Sequence, residues 1–96
     1  MTVYAVRYRY NDRTEQRLTA RPVHRAWLAE RLAAGDLLAS GPFTGGETGA
    51  LLIFRAASRD DLDAILARDP FAAEDVLADV EVREWEQVLG PWAALG

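Results

Sequence analysis

Hydrophobic and polar positions alternate over the first ten residues of the chain. In VYAVRYRY (residues 3–10), tyrosine and valine recur on one face and both arginines fall on the other, which is the period of a β-strand. The polar segment NDRTEQ (11–16) is then expected to form a loop. Over about residues 21–34 the apolar spacing becomes helical, with Pro22 near the first position and Gly35 as the stop.

Three later segments have the composition of β-strands, namely residues 37–43, 49–57 and 79–88. The first ends at a Gly-Pro dipeptide, because proline cannot continue a central ladder, and two consecutive glycines mark a hairpin turn before the second. A second helix is predicted to begin after the capping residue Ser58 and to end at Asp69, where the following proline disfavours the α conformation. Residues 71–77 are expected to add a short helical turn.

The resulting order of elements, β-α-β-β-α-β, predicts an α+β fold. Right-handed crossovers give a ferredoxin-like antiparallel sheet with two helices on one face. We expect one domain over residues 1–96, with residues 88–96 as an apolar tail that packs on it. The strand at 49–57 is apolar on both faces although helices cover only one, so a homodimer that packs sheet against sheet is expected.

Composition narrows the class of protein. The 96-residue chain has no cysteine, which removes disulfides and thiolate chemistry and fits a cytoplasmic protein. No stretch approaches the length of a membrane span, and the N-terminus does not have the pattern of a signal peptide. One histidine and no cysteine leave only carboxylates to complete a metal site, so no metal is expected.

Charge is unevenly distributed along the chain. Every basic residue is an arginine, so mechanisms that need a lysine are excluded. Residues 1–31 carry seven arginines and three carboxylates (net +4), whereas residues 32–96 carry four arginines and twelve carboxylates (net −8). The basic first third can attract an anionic small molecule or an acidic partner surface. A solvated surface is the alternative explanation for most of these arginines.

The single histidine, His24, is the main candidate for chemistry. On a helix that begins near residue 21 it lies in the first turn, on the same arc as Trp27 and Leu28, and should point toward the sheet. There the helix dipole and burial disfavour the imidazolium, whereas a nearby carboxylate favours it. A histidine balanced in this way suits a general acid or base. The alternative is a partly buried histidine that is satisfied by a backbone carbonyl.

Two longer segments, RPVHRAWLAERLAAGDLLASGPF (21–43) and ARDPFAAEDVLADVEVREW (67–85), resemble the YCII-related (YciI-like) family. The similarity includes an Arg-Pro-x-His helix start, a helix that closes on glycine, and a Gly-Pro that ends the second strand. It also includes an Asp-Pro-aromatic after the second helix and an aromatic residue at the end of the last strand. The resemblance implies a ferredoxin-like dimer, an α+β barrel, in a family whose members include cofactor-free lyases or dehydrochlorinases.

The resemblance also implies a pocket in which an invariant histidine and aspartate face each other. By matching position these are His24 and Asp69. Four further residues match pocket or aromatic positions of the family: Gly41, Pro42, Phe71 and Trp85. The chain departs at Phe71, where the family often has tyrosine, and at Asp75, where it often has glycine and where a carboxylate is expected to alter pocket access. Asp69 is also a candidate N-cap of the turn that begins at the following proline, and the two roles are compatible.

Weaker candidates surround the pair. Ser40 can donate a hydrogen bond into the pocket, although a serine at a strand end usually has no role in binding or catalysis. Arg21 and Arg25 flank the histidine and can hold a substrate carboxylate, with solvent exposure as the alternative. Tyr8 is expected at the pocket, at the dimer interface or, by default, packed in the core.

These residues indicate a small cofactor-free enzyme that uses His24 and Asp69 for proton transfer on a small organic substrate, of the lyase, isomerase or dehydrochlorinase type. The alternative is a non-enzymatic small-molecule binding or regulatory domain with the same pocket. RNA binding is rejected, because RNA-recognition domains of this topology need aromatic residues in a basic third strand. Here ALLIFRAA (50–57) has one aromatic residue and one arginine. Nothing in the sequence points to cofactor-free monooxygenation.

Overall fold

The chain forms a four-stranded sheet with helices on one face, as a computed structural model describes for residues 1–93. The strands are β1 (Thr2–Tyr10), β2 (Leu37–Pro42), β3 (Gly49–Ala56) and β4 (Leu77–Glu84). The helices are α1 (Thr14–Ala34), α2 (Arg59–Leu66) and the short α3 (Pro70–Ala73). The strand order is β2-β3-β1-β4 and every neighbouring pair is antiparallel. The predicted ferredoxin-like α+β fold is therefore confirmed.

The alternation along β1 places every second side chain in the core. Tyr4, Val6 and Tyr8 are almost fully buried, whereas the arginines between and after them are exposed on the other face. The rest of the main core comes from β2, β3 and α2: Leu37, Ala50, Leu52, Phe54, Ala56 and Leu62. Each large apolar side chain buried in this way contributes about 1.5–3 kcal/mol, so the helix-covered face carries most of the stability.

The first helix, α1, begins at Thr14, about two turns earlier than expected, and Pro22 lies inside it. A proline in a helix interior removes a backbone hydrogen bond and costs about 3 kcal/mol or more, so the local pattern favours a start near residue 21. The earlier turns persist because they carry a second small core, in which Ala20 packs with Phe71. The predicted loop over residues 11–16 is therefore wrong beyond its first three positions.

Other boundaries agree with the sequence more closely. The backbone of Gly35 is left-handed and ends α1, as predicted. The Ser58 hydroxyl accepts a hydrogen bond from the backbone amide of Asp61 at 3.1 Å and so caps α2. The last strand lies a few residues earlier than the predicted segment 79–88.

The predicted C-terminal tail is described as far as residue 93. Its Trp92 ring meets the ring of Trp85 edge-on, with the centroids 6.5 Å apart. Residues 94–96, the end of the predicted tail, lie outside the described residues. Within residues 1–93, no helix combines the length and the apolar content needed to cross a membrane.

The face of the sheet that no helix covers is only partly apolar. Val3 and Ile53 are buried on it, and Leu51 is 40 % exposed. Beside them Arg7 of β1 and Glu81 of β4 lie opposite each other and form an ion pair at 3.6 Å. Apolar and charged residues therefore share this face, and the homodimer stays a prediction.

Candidate functional site

His24 and Asp69 are in contact between α1 and the start of α3. Because α1 begins early, His24 lies about three turns into the helix, and the dipole effect expected for a helix start does not apply. Its Nδ1 lies 2.6 Å from Asp69 Oδ1. The histidine is 6 % exposed and the aspartate 1 %, so water competes little for this hydrogen bond.

Asp69 accepts hydrogen bonds from three donors. Its Oδ1 accepts from His24 and, at 2.9 Å, from the backbone amide of Phe71, and its Oδ2 accepts from the Tyr8 hydroxyl at 2.7 Å. The amide contact makes Asp69 the N-cap of α3. The capping role and the contact with His24, which the sequence analysis treats as compatible, therefore occur together. Burying a carboxylate is costly unless its oxygens are paired, and these donors supply the pairing.

The partners of Asp69 determine which nitrogen of His24 carries the proton. A carboxylate can only accept, so Nδ1 donates, and in the neutral ring the lone pair lies on Nε2. Among the described residues Nε2 has no hydrogen-bond partner, and His24 lines the cavity described below. Nε2 is therefore the ring nitrogen that can accept a proton from a molecule in that cavity.

Tyr8 holds the far side of the carboxylate. Its side chain is 1 % exposed, and burial, together with the charge of Asp69, raises the pKa of Tyr8 above its ordinary value of 10.0. The hydroxyl therefore stays protonated and donates to Asp69 Oδ2. One chain of hydrogen bonds thus links β1, the start of α3, and α1 through Tyr8, Asp69 and His24.

Phe71 forms the surface on which the imidazole rests. Its ring is stacked on that of His24, with centroids 3.7 Å apart and planes 6° apart. Tyr10 meets the Phe71 ring edge-on at 5.7 Å. The stacking and the hydrogen bond to Asp69 together fix the position and the tilt of the imidazole, so Nε2 is presented in one direction.

His24 lies in the wall of a cavity of about 470 Å³, within the range of small-molecule sites, roughly 300–1,000 Å³. The apolar residues of the wall are Leu28, Pro42, Phe43, Ala50, Leu52 and Phe71. Its polar residues are Tyr10, Arg17, Arg21, His24, Arg25, Ser40 and Thr48, and two glycines, Gly41 and Gly49, complete the wall. Within residues 1–93, no group of three or more potential metal ligands is present.

The residues predicted from the sequence divide into two groups. Those that line the cavity are His24, Arg21, Arg25, Ser40, Gly41, Pro42 and Phe71. Asp69 and Tyr8 lie behind the imidazole and do not line it. Of the three places expected for Tyr8, the structure has the default one: the alternation of β1 turns its side chain into the core, and its hydroxyl is bonded to Asp69 and does not line the cavity. The catalytic roles of His24 and Asp69 stay predictions.

Asp75 stands where the family often has glycine, and its backbone gives the reason. Its φ of 55° lies in the left-handed region, which glycine favours and aspartate tolerates. Its carboxylate pairs with Arg13 at 3.6 Å, and its carbonyl accepts a hydrogen bond from Asn11. Asp75 is not among the residues that line the cavity, so the expected effect of this carboxylate on pocket access is not found.

Arg17 and Tyr10 line the cavity, although the sequence analysis did not single them out. The guanidinium carbon of Arg17 lies 4.5 Å from the centroid of the Tyr10 ring, a cation–π distance. With the helix expected to begin near residue 21, Arg17 fell outside it. The signal that would have found it is its spacing of four residues from Arg21, which places both on one helix face.

Several solved structures share this fold. A 5-chloro-2-hydroxyhydroquinone dehydrochlorinase from Burkholderia phenoliruptrix, in complex with 2,5-dihydroxybenzoquinone, is 22 % identical, with a TM-score of 0.78 over 88 % of this chain and 93 % of that chain. A NIPSNAP family protein from Agrobacterium tumefaciens is 22 % identical, with a TM-score of 0.57 over 93 % of this chain and 95 % of that chain. A transcriptional regulator from Neisseria meningitidis, in complex with L-Met, is 13 % identical, with a TM-score of 0.62 over 98 % of this chain and 58 % of that chain. At these identities the similarity concerns the fold.

Comparison at the level of sequence identifies the family. No curated protein matches the chain. The family model of the YCII-related domain matches residues 1–86. The matched range contains every strand and helix of the described chain and the whole cavity wall, together with His24 and Asp69. The chain therefore belongs to the YCII-related family.

Proposed function

We propose that the chain is a small cofactor-free enzyme in which His24 removes a proton from a small organic substrate and Asp69 supports the imidazole. The observation that carries the proposal is the buried contact of 2.6 Å between these side chains at the wall of a cavity of about 470 Å³. The reaction class is that of a lyase, isomerase or dehydrochlorinase, in which loss of a proton begins an elimination or an isomerisation.

His24 acts in this proposal as a general base through Nε2. The Nδ1–H group donates to Asp69, so the neutral ring keeps its lone pair on Nε2. After proton transfer the imidazolium lies beside the carboxylate, which stabilises it, as in other histidine–aspartate pairs. Tyr8 and the amide of Phe71 hold the carboxylate in place, so no reorganisation is needed when the charge forms.

The chemical step balances without a redox partner. Nε2 takes a proton from an acidic C–H or O–H group, and the electron pair of that bond forms a new double bond. For a chlorinated trihydroxybenzene, transfer of one hydroxyl proton to the ring carbon that bears chlorine first gives the keto tautomer. Nε2 then takes a second hydroxyl proton, the electron pair of that O–H bond forms a C=O bond, and chloride departs with its own electron pair. The products are a hydroxyquinone, chloride and a proton that passes from the imidazolium to water. The hydroxyl groups of Ser40 and Thr48 line the cavity and can hydrogen-bond to substrate oxygens.

The similar dehydrochlorinase supports this class of reaction and supplies the first probes. Its name specifies 5-chloro-2-hydroxyhydroquinone, and its structure contains 2,5-dihydroxybenzoquinone. Both are flat, oxygen-rich rings, and a cavity of about 470 Å³ is large enough for either.

Turnover and binding, measured separately, test the proposed function. We expect the protein to release chloride from 5-chloro-2-hydroxyhydroquinone under anaerobic conditions, or to consume a member of a panel of hydroxylated aromatic acids, faster than a heat-denatured sample. Binding of 2,5-dihydroxybenzoquinone is followed in parallel by absorbance. Saturable binding without turnover of any probe would reject the enzyme and leave the non-enzymatic binding or regulatory domain.

We also propose that a second copy of the chain covers the open face of the sheet. Leu51, on the inner strand β3, is 40 % exposed on this face, and a twofold axis lets the same patch serve both copies. Leu51→Glu is expected to convert the dimer to a monomer, because it places an unpaired charge in the interface. Light scattering after gel filtration measures the change. Leu32→Glu, at a 57 % exposed leucine of α1, is the matched control; a monomeric wild-type protein would contradict the proposal.

A further inference from the structure

Three arginines of α1 line the same cavity. Arg17, Arg21 and Arg25 follow one another at intervals of four residues, about one helical turn each, and all three belong to the cavity wall. His24 lies between the last two along the helix. Three positively charged groups therefore border the cavity that His24 lines.

These three charges are not neutralised within the described part of the chain. The ion pairs of residues 1–93 use other basic groups: Arg7, Arg9, Arg13, His24, Arg31 and Arg59. Among residues 1–93 no carboxylate lines the cavity, and the oxygens of Asp69, which is buried behind His24, accept from other donors. Like charges around one concave site raise its positive potential, so the site favours an anion.

Tyr10 lies in the same cavity wall as the three arginines. Burial raises the pKa of Tyr10, and Arg17, Arg21 and Arg25 each oppose that rise electrostatically. All three are therefore near one side chain of the cavity wall. Arg17 is also held over the Tyr10 ring, and a guanidinium that is already positioned loses less conformational freedom when a ligand binds.

We propose that Arg17, Arg21 and Arg25 form a carboxylate-binding site and that the substrate class is a small aromatic carboxylate. The planar guanidinium group matches a carboxylate with two parallel hydrogen bonds, which fixes orientation as well as position. The apolar body of the ligand then lies against the apolar residues of the same wall, among them Phe71 and Leu52. This inference rests on the proposed function, because the site matters for catalysis by presenting the rest of the molecule to Nε2 of His24.

Titration with benzoate and with its neutral analogue benzamide, followed by NMR at low ionic strength, tests the proposal. We expect the wild-type protein to bind benzoate at least about tenfold more tightly than benzamide, and to lose this preference as salt is added. The triple variant Arg17→Gln, Arg21→Gln, Arg25→Gln is expected to lose about tenfold or more of the benzoate affinity and to bind benzamide unchanged. The three single variants, each expected to lose a smaller factor, replace it if it does not fold.

The control removes the same charge elsewhere. Arg59→Gln lies on α2, outside the cavity wall, and is expected to bind benzoate like the wild type. Equal affinity of the wild type for benzoate and benzamide, no saturable benzoate binding, or equal losses in Arg59→Gln and in the cavity variants would overturn the carboxylate site.

The same experiment separates this inference from the proposed function. Arginine-dependent benzoate binding without turnover of any probe keeps the carboxylate site and rejects the enzyme. Turnover with a benzoate affinity that the arginine substitutions leave unchanged keeps the enzyme and rejects the site. His24→Gln is expected to bind benzoate, because the imidazole is not one of the three groups that are proposed to hold the carboxylate.

Discussion

Replacing His24 with glutamine is expected to reduce kcat for the proposed proton transfer by about 10²–10⁴-fold, the usual contribution of general acid–base catalysis. Glutamine keeps a flat amide that can lie on Phe71 and an N–H group that can donate to Asp69. It has no basic nitrogen. The loss is therefore expected in kcat, with a smaller change in KM, because the substitution removes an interaction that is made in the transition state.

Steady-state kinetics beside a matched control measures this effect. Val23→Gln introduces the same side chain at the neighbouring position of α1, which is 61 % exposed and does not line the cavity. It is expected to keep the wild-type kcat. Wild-type activity in a folded His24→Gln protein would mean that another group removes the proton.

Replacing Asp69 with alanine is expected to lower the free energy of unfolding by about 3–5 kcal/mol. The Tyr8 hydroxyl, the imidazole of His24 and the amide of Phe71 would all lose their acceptor in the interior. Each buried polar group left unsatisfied costs about 1–3 kcal/mol. Since whole domains are stable by about 5–15 kcal/mol, the variant is expected to unfold at a much lower urea concentration.

A second replacement, Asp69→Asn, separates the hydrogen bonds from the charge. Its carboxamide oxygen can still accept from His24 and from the amide of Phe71, so it is expected to recover much of the stability lost in the alanine variant. It does not stabilise the imidazolium, and kcat is expected to stay about 10²-fold or more below the wild type. Asp61→Ala, at an exposed carboxylate in the first turn of α2, is the control and is expected to cost about 1 kcal/mol or less. An Asp69→Ala protein as stable as this control would contradict the role assigned to Asp69.

The fold class was predictable because strand signals are local. The alternation in residues 3–10 and the Gly-Pro that ends β2 depend on a few neighbouring residues, and both agree with the structure. The start of α1 depends instead on tertiary packing. The local penalty at Pro22 can be read from the sequence, but the contacts of the earlier turns, such as that of Ala20 with Phe71, join distant segments and cannot.

The candidate site was predictable only in part. His24 and Asp69 are 45 positions apart, so no local pattern joins them and only the family resemblance paired them. Tyr8 and Asp69 are 61 positions apart in the sequence. The direction of the Tyr8 side chain depends on which face of β1 packs against the helices. Arg17 was missed for a different reason. Because α1 was expected to begin near residue 21, Arg17 was not placed on the helix face that it shares with Arg21 and Arg25.

The position of the proton on the imidazole ring tests the hydrogen bonds that join Tyr8, Asp69 and His24 most directly. The protein has one histidine, so proton–nitrogen correlation NMR of the untagged protein reports on His24 alone. We predict that the neutral ring carries its proton on Nδ1, donated to Asp69, and that Nε2 is unprotonated. A neutral ring found mainly in the Nε2–H tautomer would contradict this arrangement and with it the proposed general base.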